Sequence, residues 1–195
     1  ITVTGTENIM MAATLAEGRT TIKNAAKEPE IIDLANMLTS MGAKIEGAGN
    51  ETIIIEGVSN LTGTEFDIPA DRIEAGTYLA AAAVTKGNIT IEGINPTRLM
   101  KVIDKLKTAG AMINYTSNSI SLNMTKEFPN PVNITTAPFP DFPTDMQAQF
   151  SVLNAISSGD SIVNETVFEN RFMHILELNR MGCNIQVKGN RAYIK

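Results

Sequence analysis

The stretch Leu106–Tyr115, "LKTAGAMINY", reads as the last turn of a helix, a stop at Gly110 and the start of a β-strand. "LTSMGAKIEG" around Gly42 and "LNRMGCNIQV" around Gly182 follow the same plan. A second trio lies upstream: "LAEGRTTIKNA" at Gly18, "VTKGNITIEGI" at Gly87 and "ISSGDSIVNET" at Gly159 each close a helix-like segment on glycine ahead of a β-rich run. The offsets from Gly18 to Gly42, Gly87 to Gly110 and Gly159 to Gly182 are nearly equal. Successive copies lie roughly 70 residues apart, the signature of an internal repeat.

Each copy is expected to run strand, helix, strand, helix, strand, strand. In the first copy this predicts a strand at Ile1–Val3, a helix over 8–17, a β run over 20–23 and an amphipathic helix from about 30 to 41. Ile31, Leu34, Ala35 and Leu38 fall on one face of that second helix, and "AKIEGAGNETIIIE" supplies a hairpin. The first helix of each copy, as in "GTYLAAAAV" and "MQAQFSVLNAI", is apolar nearly all round and belongs inside. Small alanine side chains let such helices approach closely on a shared axis. The fold class expected is α/β, an inside-out α/β barrel with helices buried and sheets outside.

A chain of 195 residues with 43% hydrophobic content can bury a sizeable core. A net charge of −5 and no Lys/Arg cluster argue against nucleic acid as a partner. The longest apolar run, "YLAAAAV" at 78–84, is too short to span a bilayer, and no signal-like segment opens the chain, so a cytoplasmic location is expected. Cys183 stands alone, which excludes an intrachain disulfide and a cysteine-based metal cage; it reads as a small buried hydrophobe. No GxGxxG, Walker-type loop, HExxH or GxSxG is present, so neither cofactor nor metal is expected. His174, the only histidine, reads as structural or as a neighbour of a site. The Asn-x-Thr triplets at Asn88 and Asn164 read as turn and strand chemistry. The chain starts at Ile1, without an initiator Met and in strand-like sequence, which suggests part of a longer protein.

In "FPTDMQAQF", Asp145 follows Pro143 and precedes a helical run. Two readings stand: a helix-capping residue, or a base whose charged form is favoured by the positive end of the helix. Arg171 in "FENRFMH" has a rigid donor fork suited to carboxylate or phosphate; its bland reading is a surface pair with Glu169 or Glu177. Glu28 and Glu30 flank Pro29 where a loop becomes a helix.

The strings "AATLAEG", "NAAKEPEIIDLANML", "DRIEAGT", "FPTDMQAQF" and "ETVFENRFMH", in this order, closely resemble the UDP-N-acetylglucosamine 1-carboxyvinyltransferase family, the bacterial enolpyruvyl transferases that open peptidoglycan precursor synthesis. The shikimate-pathway enolpyruvyl transferases share the repeat but not these strings, and rank second. A third reading is a non-catalytic repeat domain that binds a ligand or partner. The resemblance implies two domains of three repeats each, with the active site in the cleft between them. It assigns 1–69 to the last repeat of one domain and 70–195 to two repeats of the other; alternatively, the three copies close one pseudo-threefold domain.

The implied reaction moves the enolpyruvyl group of phosphoenolpyruvate to the 3-hydroxyl of UDP-N-acetylglucosamine and releases phosphate. Asp145 matches the family's aspartate at the sugar hydroxyl, and Arg171 an active-site arginine. Ile1, Thr2, Val3 and Val167 match positions that contact the nucleotide sugar, and Glu28 and Glu30 fall near the cleft. Thr4 stands where many relatives have glycine. The family's cysteine-bearing loop is expected upstream of Ile1, and Cys183 does not replace it. The remaining repeats of the parent chain are therefore expected partners, and this piece alone is expected to be inactive.

Overall fold

Gly42, Gly110 and Gly182 hold φ angles of +103°, +105° and +102°, a left-handed turn that an L side chain rarely adopts. Around each, the same two hydrogen bonds end the preceding helix. Gly42, Gly110 and Gly182 N–H donate to the carbonyls of Thr39, Lys107 and Asn179; Ala43, Ala111 and Cys183 N–H donate to those of Leu38, Leu106 and Leu178. This is the Schellman arrangement, three times over. Cys183 is thus the counterpart of Ala43 and Ala111, a small residue following a left-handed turn.

The computed structural model describes residues 1–125 and 127–195, which divide into two units, Ile1–Pro69 and Ala70–Lys195. The first unit contains α1 (Val3–Ala13), β1 (Arg19–Lys23), α2 (Pro29–Ser40), β2 (Lys44–Glu46) and β3 (Thr52–Glu56). Its sheet is antiparallel in the order β1-β3-β2. Pro29 opens α2, where a missing N–H costs nothing. The alternation of β3 sends Ile53 and Ile55 inward onto Met10, Ile31 and Leu38.

The second unit contains two copies. One is α3 (Arg72–Val84), β4 (Asn88–Glu92), α4 (Met100–Thr108), β5 (Met112–Tyr115) and β6 (Ser119–Asn123). The other is β7 (Ile134–Thr135), α5 (Gln147–Ala155), β8 (Ser161–Asn164), α6 (Met173–Arg180), β9 (Ile185–Lys188) and β10 (Arg191–Ile194). The sheets run β4-β6-β5 and β7-β8-β10-β9, so all three copies place the last strand between the other two antiparallel strands. Asp71 caps α3 by accepting from the N–H groups of Ile73 and Glu74 at 2.7 and 3.2 Å. α3 and α5 face each other over a core that includes Leu79, Ile103, Leu122, Phe150 and Leu153. Phe142 and Phe150 meet edge-to-face at 5.0 Å.

Several expectations need correction. Ile1–Val3 is not a strand: the Thr2 hydroxyl accepts from the Gly5 N–H at 3.3 Å and begins α1, which ends at Ala13 rather than at 17. Gly18 and Gly159 lie in turns beyond the ends of α1 and α5, and in the middle copy the left-handed residue is Lys86, just before Gly87. An initial strand is present only in the last copy, where Ile134 and Thr135 find a parallel partner in Val163 and Asn164 of β8. No strand occurs in residues 57–71, a stretch broken by Gly57, Gly63 and Pro69. α3 is enclosed on one side only; Tyr78 on its other side is 56% exposed.

After β3 the chain passes so close to the α1–β1 turn that a Cβ at Gly57 would lie 1.6 Å from the Ala16 carbonyl oxygen. Gly57→Ala is expected to destabilise the first unit by about 1–3 kcal/mol. Cys183→Ala should stay within about 0.5 kcal/mol, as the other two copies already carry alanine there. Urea unfolding of both variants checks the contrast.

Candidate functional site

Asp145 sits in a short 3-10 turn, Thr144–Met146, that leads into α5. No side chain caps either that turn or α5, so the capping reading of Asp145 fails. Its Oδ1 instead accepts from Arg171 Nη2 at 2.8 Å. The surface pairs of the bland reading of Arg171 do not form: Glu177 takes Arg180 at 2.7 Å, and Arg171 pairs with Asp145, 26 residues away in sequence. The loop between β8 and α6 brings the arginine round, with Asn170 in the left-handed region at φ 55°. Gln147 Nε2 holds the Arg171 carbonyl at 3.1 Å. The guanidinium lies 4.9 Å from the centre of the Phe168 ring, a cation–π contact, and its Nη1 donates to Thr144 Oγ1 at 2.8 Å.

The Asp145 and Arg171 side chains are 53% and 38% exposed. A pair this open contributes about 0.2–1 kcal/mol. A substrate hydroxyl or anion can therefore displace either partner at small cost, while the carboxylate remains available to accept a proton and the guanidinium to hold negative charge.

Behind the pair lies Glu165, 2% exposed, which the sequence reading passed over. Its Oε1 accepts from Thr136 Oγ1 at 2.8 Å and from the Val167 and Phe168 N–H groups at 2.8 and 3.0 Å. Its Oε2 accepts from Thr144 Oγ1 at 2.8 Å. Burial alone pushes this carboxyl up, but the hydrogen bonds from Phe168, Val167, Thr136 and Thr144 outweigh it and hold it below the ordinary value. Val167 is thereby fixed by its backbone, and the residue stays 39% exposed. His174 is held below its usual value by burial and then by the Arg171 charge, so the neutral imidazole is favoured next to the site. One signal in the sequence pointed to Glu165: an acid two residues after Val163, on the same side of the period-2 alternation as Ser161 and Val163.

The other predicted residues lie in the first unit. Ile1 and Thr2 precede α1 and Val3 begins it; Thr4 lies inside its first turn. Glu30 occupies the first turn of α2, and Glu28 stands at the N-cap position without making a side-chain capping bond. Thr6 Oγ1 accepts from the Ala26 N–H at 3.1 Å, bringing α1 against the segment that leads to Glu28. Glu7, also missed from sequence, joins them: burial first, then the charges of Glu30 and Glu28, raise its carboxyl. Among the described residues no group of three His, Cys, Asp or Glu side chains is placed to hold a metal ion, and no helix is long and apolar enough to cross a membrane.

The family model for EPSP synthase (3-phosphoshikimate 1-carboxyvinyltransferase) matches residues 1–195, and the chain belongs to this enolpyruvyl transferase family. Within it, the chain is 57% identical over 195 residues to the UDP-N-acetylglucosamine 1-carboxyvinyltransferase of Hydrogenovibrio crunogenus, covering 100% of this chain and 47% of that one. It is also 57% identical over 192 residues to the enzyme of the same name from Aeromonas hydrophila, covering 98% and 46%. The chain thus spans about half the length of the curated relatives it matches. The crystal structure of the enolpyruvyl transferase NikO from Streptomyces tendae shares the fold with a TM-score of 0.86 at 23% identity, over 98% of this chain and 46% of that one. EPSP synthase from Acinetobacter baumannii matches with a TM-score of 0.50 at 15% identity, over 98% and 44%. The fold is the mixed α/β fold of these transferases.

The two shifted carboxyls act in opposite directions on stability. Glu165, held below its ordinary 4.5, contributes stability above that value that is lost as pH falls through its folded-state value. Glu7, raised above 4.5, favours the fold at low pH, and that contribution is lost as pH rises through its folded-state value. Thermal melts across pH 3–7 should show a shallower acid loss for Glu165→Gln than for the parent chain. For Glu7→Gln the relative gain should grow on the alkaline side of 4.5.

Proposed function

We propose that this chain forms part of a UDP-N-acetylglucosamine 1-carboxyvinyltransferase. The observation that carries the reading is the Asp145–Arg171 pair, 2.8 Å apart and half open to solvent, within strings that resemble that family. The 57% identity to two enzymes of that name supports this reading over the shikimate-type alternative. Residues 1–69 are proposed as the last repeat of one domain and 70–195 as two repeats of the second, in an inside-out barrel with sheets outside, whose remaining repeat would cover the open side of α3. A cytoplasmic location accords with precursor synthesis from a nucleotide sugar.

In this reading Asp145 takes the proton of the sugar 3-hydroxyl as that oxygen bonds to C2 of phosphoenolpyruvate. The methylene carbon receives a proton from an acid that these residues do not supply. The resulting tetrahedral intermediate loses phosphate, and loss of a proton from its methyl carbon restores the double bond. Atoms balance without an oxidant, a metal or a cofactor. Arg171 holds negative charge, on carboxylate or phosphate, as it builds up. The family resemblance assigns Val167 to the sugar nucleotide, and by itself also assigns Ile1, Thr2, Val3, Glu28 and Glu30 of the first unit to substrate binding.

In the complete enzyme, Asp145→Asn should lower kcat by roughly 100- to 10,000-fold while the circular dichroism spectrum and melting temperature hold. Near-normal turnover in that variant would remove Asp145 from the chemistry. The 195-residue chain by itself should release no phosphate from the two substrates together, as a malachite-green assay would register.

A further inference from the structure

Thr144 is bonded on two sides by groups that leave its hydroxyl no choice of direction. A carboxylate can only accept and a guanidinium can only donate. The Thr144 proton therefore points to Glu165 Oε2, 2.8 Å away, and a lone pair faces Arg171 Nη1, also at 2.8 Å. Arg171 then reaches Asp145 with its other terminal nitrogen. The four side chains make one polar chain from a buried carboxylate to an exposed one. Thr136 anchors the buried end: it donates to Glu165, accepts from the Thr166 N–H at 3.0 Å, and gives its carbonyl to Thr166 Oγ1.

We propose that Glu165 is a positioning residue, which acts through the Thr144 hydroxyl to keep the Arg171 guanidinium in register with Asp145. The physical need follows from exposure. The direct Asp145–Arg171 contact is open to water, so it cannot by itself hold a long arginine when Asp145 turns toward a substrate hydroxyl. The Thr144–Glu165 anchor lies deeper and survives that exchange. The proposal rests on the reading of Asp145 and Arg171 as the reacting pair.

A simpler role for Glu165, clamping the 165–168 turn, is separable. Thr144→Val removes the relay and leaves the three bonds from Thr136, Val167 and Phe168 to Glu165 in place. Thr144→Ser restores the hydroxyl. In the 195-residue chain, NMR of the arginine side chains should show Arg171 guanidinium protons exchanging on the order of tenfold faster in Thr144→Val and in Glu165→Gln, and at the parent rate in Thr144→Ser. In the complete enzyme, Thr144→Val should lower kcat by roughly 10- to 100-fold with KM within about threefold, and Thr144→Ser should recover most of it. Should Glu165→Gln fail to fold, the Thr144 variants carry the test. Unchanged Arg171 exchange in Thr144→Val, kcat within about twofold of the parent, or a serine variant as impaired as the valine one would each overturn the proposal. A complete parent enzyme that turned over neither substrate would instead sink the functional reading, and the exchange rates alone would then decide whether Glu165 positions Arg171.

Discussion

Everything in this chain is built on a turn that only glycine makes cheaply. At Gly42, Gly110 and Gly182 the backbone enters the left-handed region at nearly the same angle, and the residue after each glycine bonds back to a leucine carbonyl one turn earlier. That closure ends the second helix of each copy and points the chain into the next strand. The last strand of the copy then lies between the two preceding ones, as in β1-β3-β2 and β4-β6-β5. Any side chain at these three positions would be strained in the left-handed region, and the order of the sheet follows from the turn.

The site grows from the ends of these units. α5 is preceded by the Thr144–Met146 turn, and the loop after β8 returns to it, so a residue before a helix meets a residue before the next helix. The buried Glu165 carboxylate makes this meeting specific. It gathers two threonine hydroxyls and two backbone N–H groups from segments far apart in sequence. A buried carboxylate with that many donors is far costlier to strand than to keep, which explains why a charged group lies beneath a site whose own ion pair is worth little.

The repeat, the amphipathic second helices and the glycine stops were legible because they are local: a 3.6-residue period, a 2-residue period and a left-handed turn each leave a mark within ten residues. Asp145 and Arg171 were legible through the strings that contain them. Their pairing was not, and a local rule misled: an acid just after Pro143 looks like a helix cap, yet no backbone N–H takes its carboxylate. Glu165 and Glu7 escaped notice for the same kind of reason. Their importance lies in partners 29 and 21 residues distant, Thr136 and Thr144 for Glu165, and in the Glu28–Glu30 segment for Glu7. The failed strand at Ile1–Val3 shows the limit from the other side, since β-prone residues make a strand only where a neighbouring strand accepts their hydrogen bonds.

By itself the sequence determined the threefold internal repeat, the class of α/β fold and the strings that tie the chain to the enolpyruvyl transferases, because periodicity and turn chemistry are properties of neighbouring residues. Only the tertiary structure decided that Asp145 faces an arginine rather than a helix end, and that a buried glutamate stands behind both through a single hydroxyl. Those relations depend on which distant segments pack together, and packing is set by the whole core rather than by any stretch of chain that can be read alone.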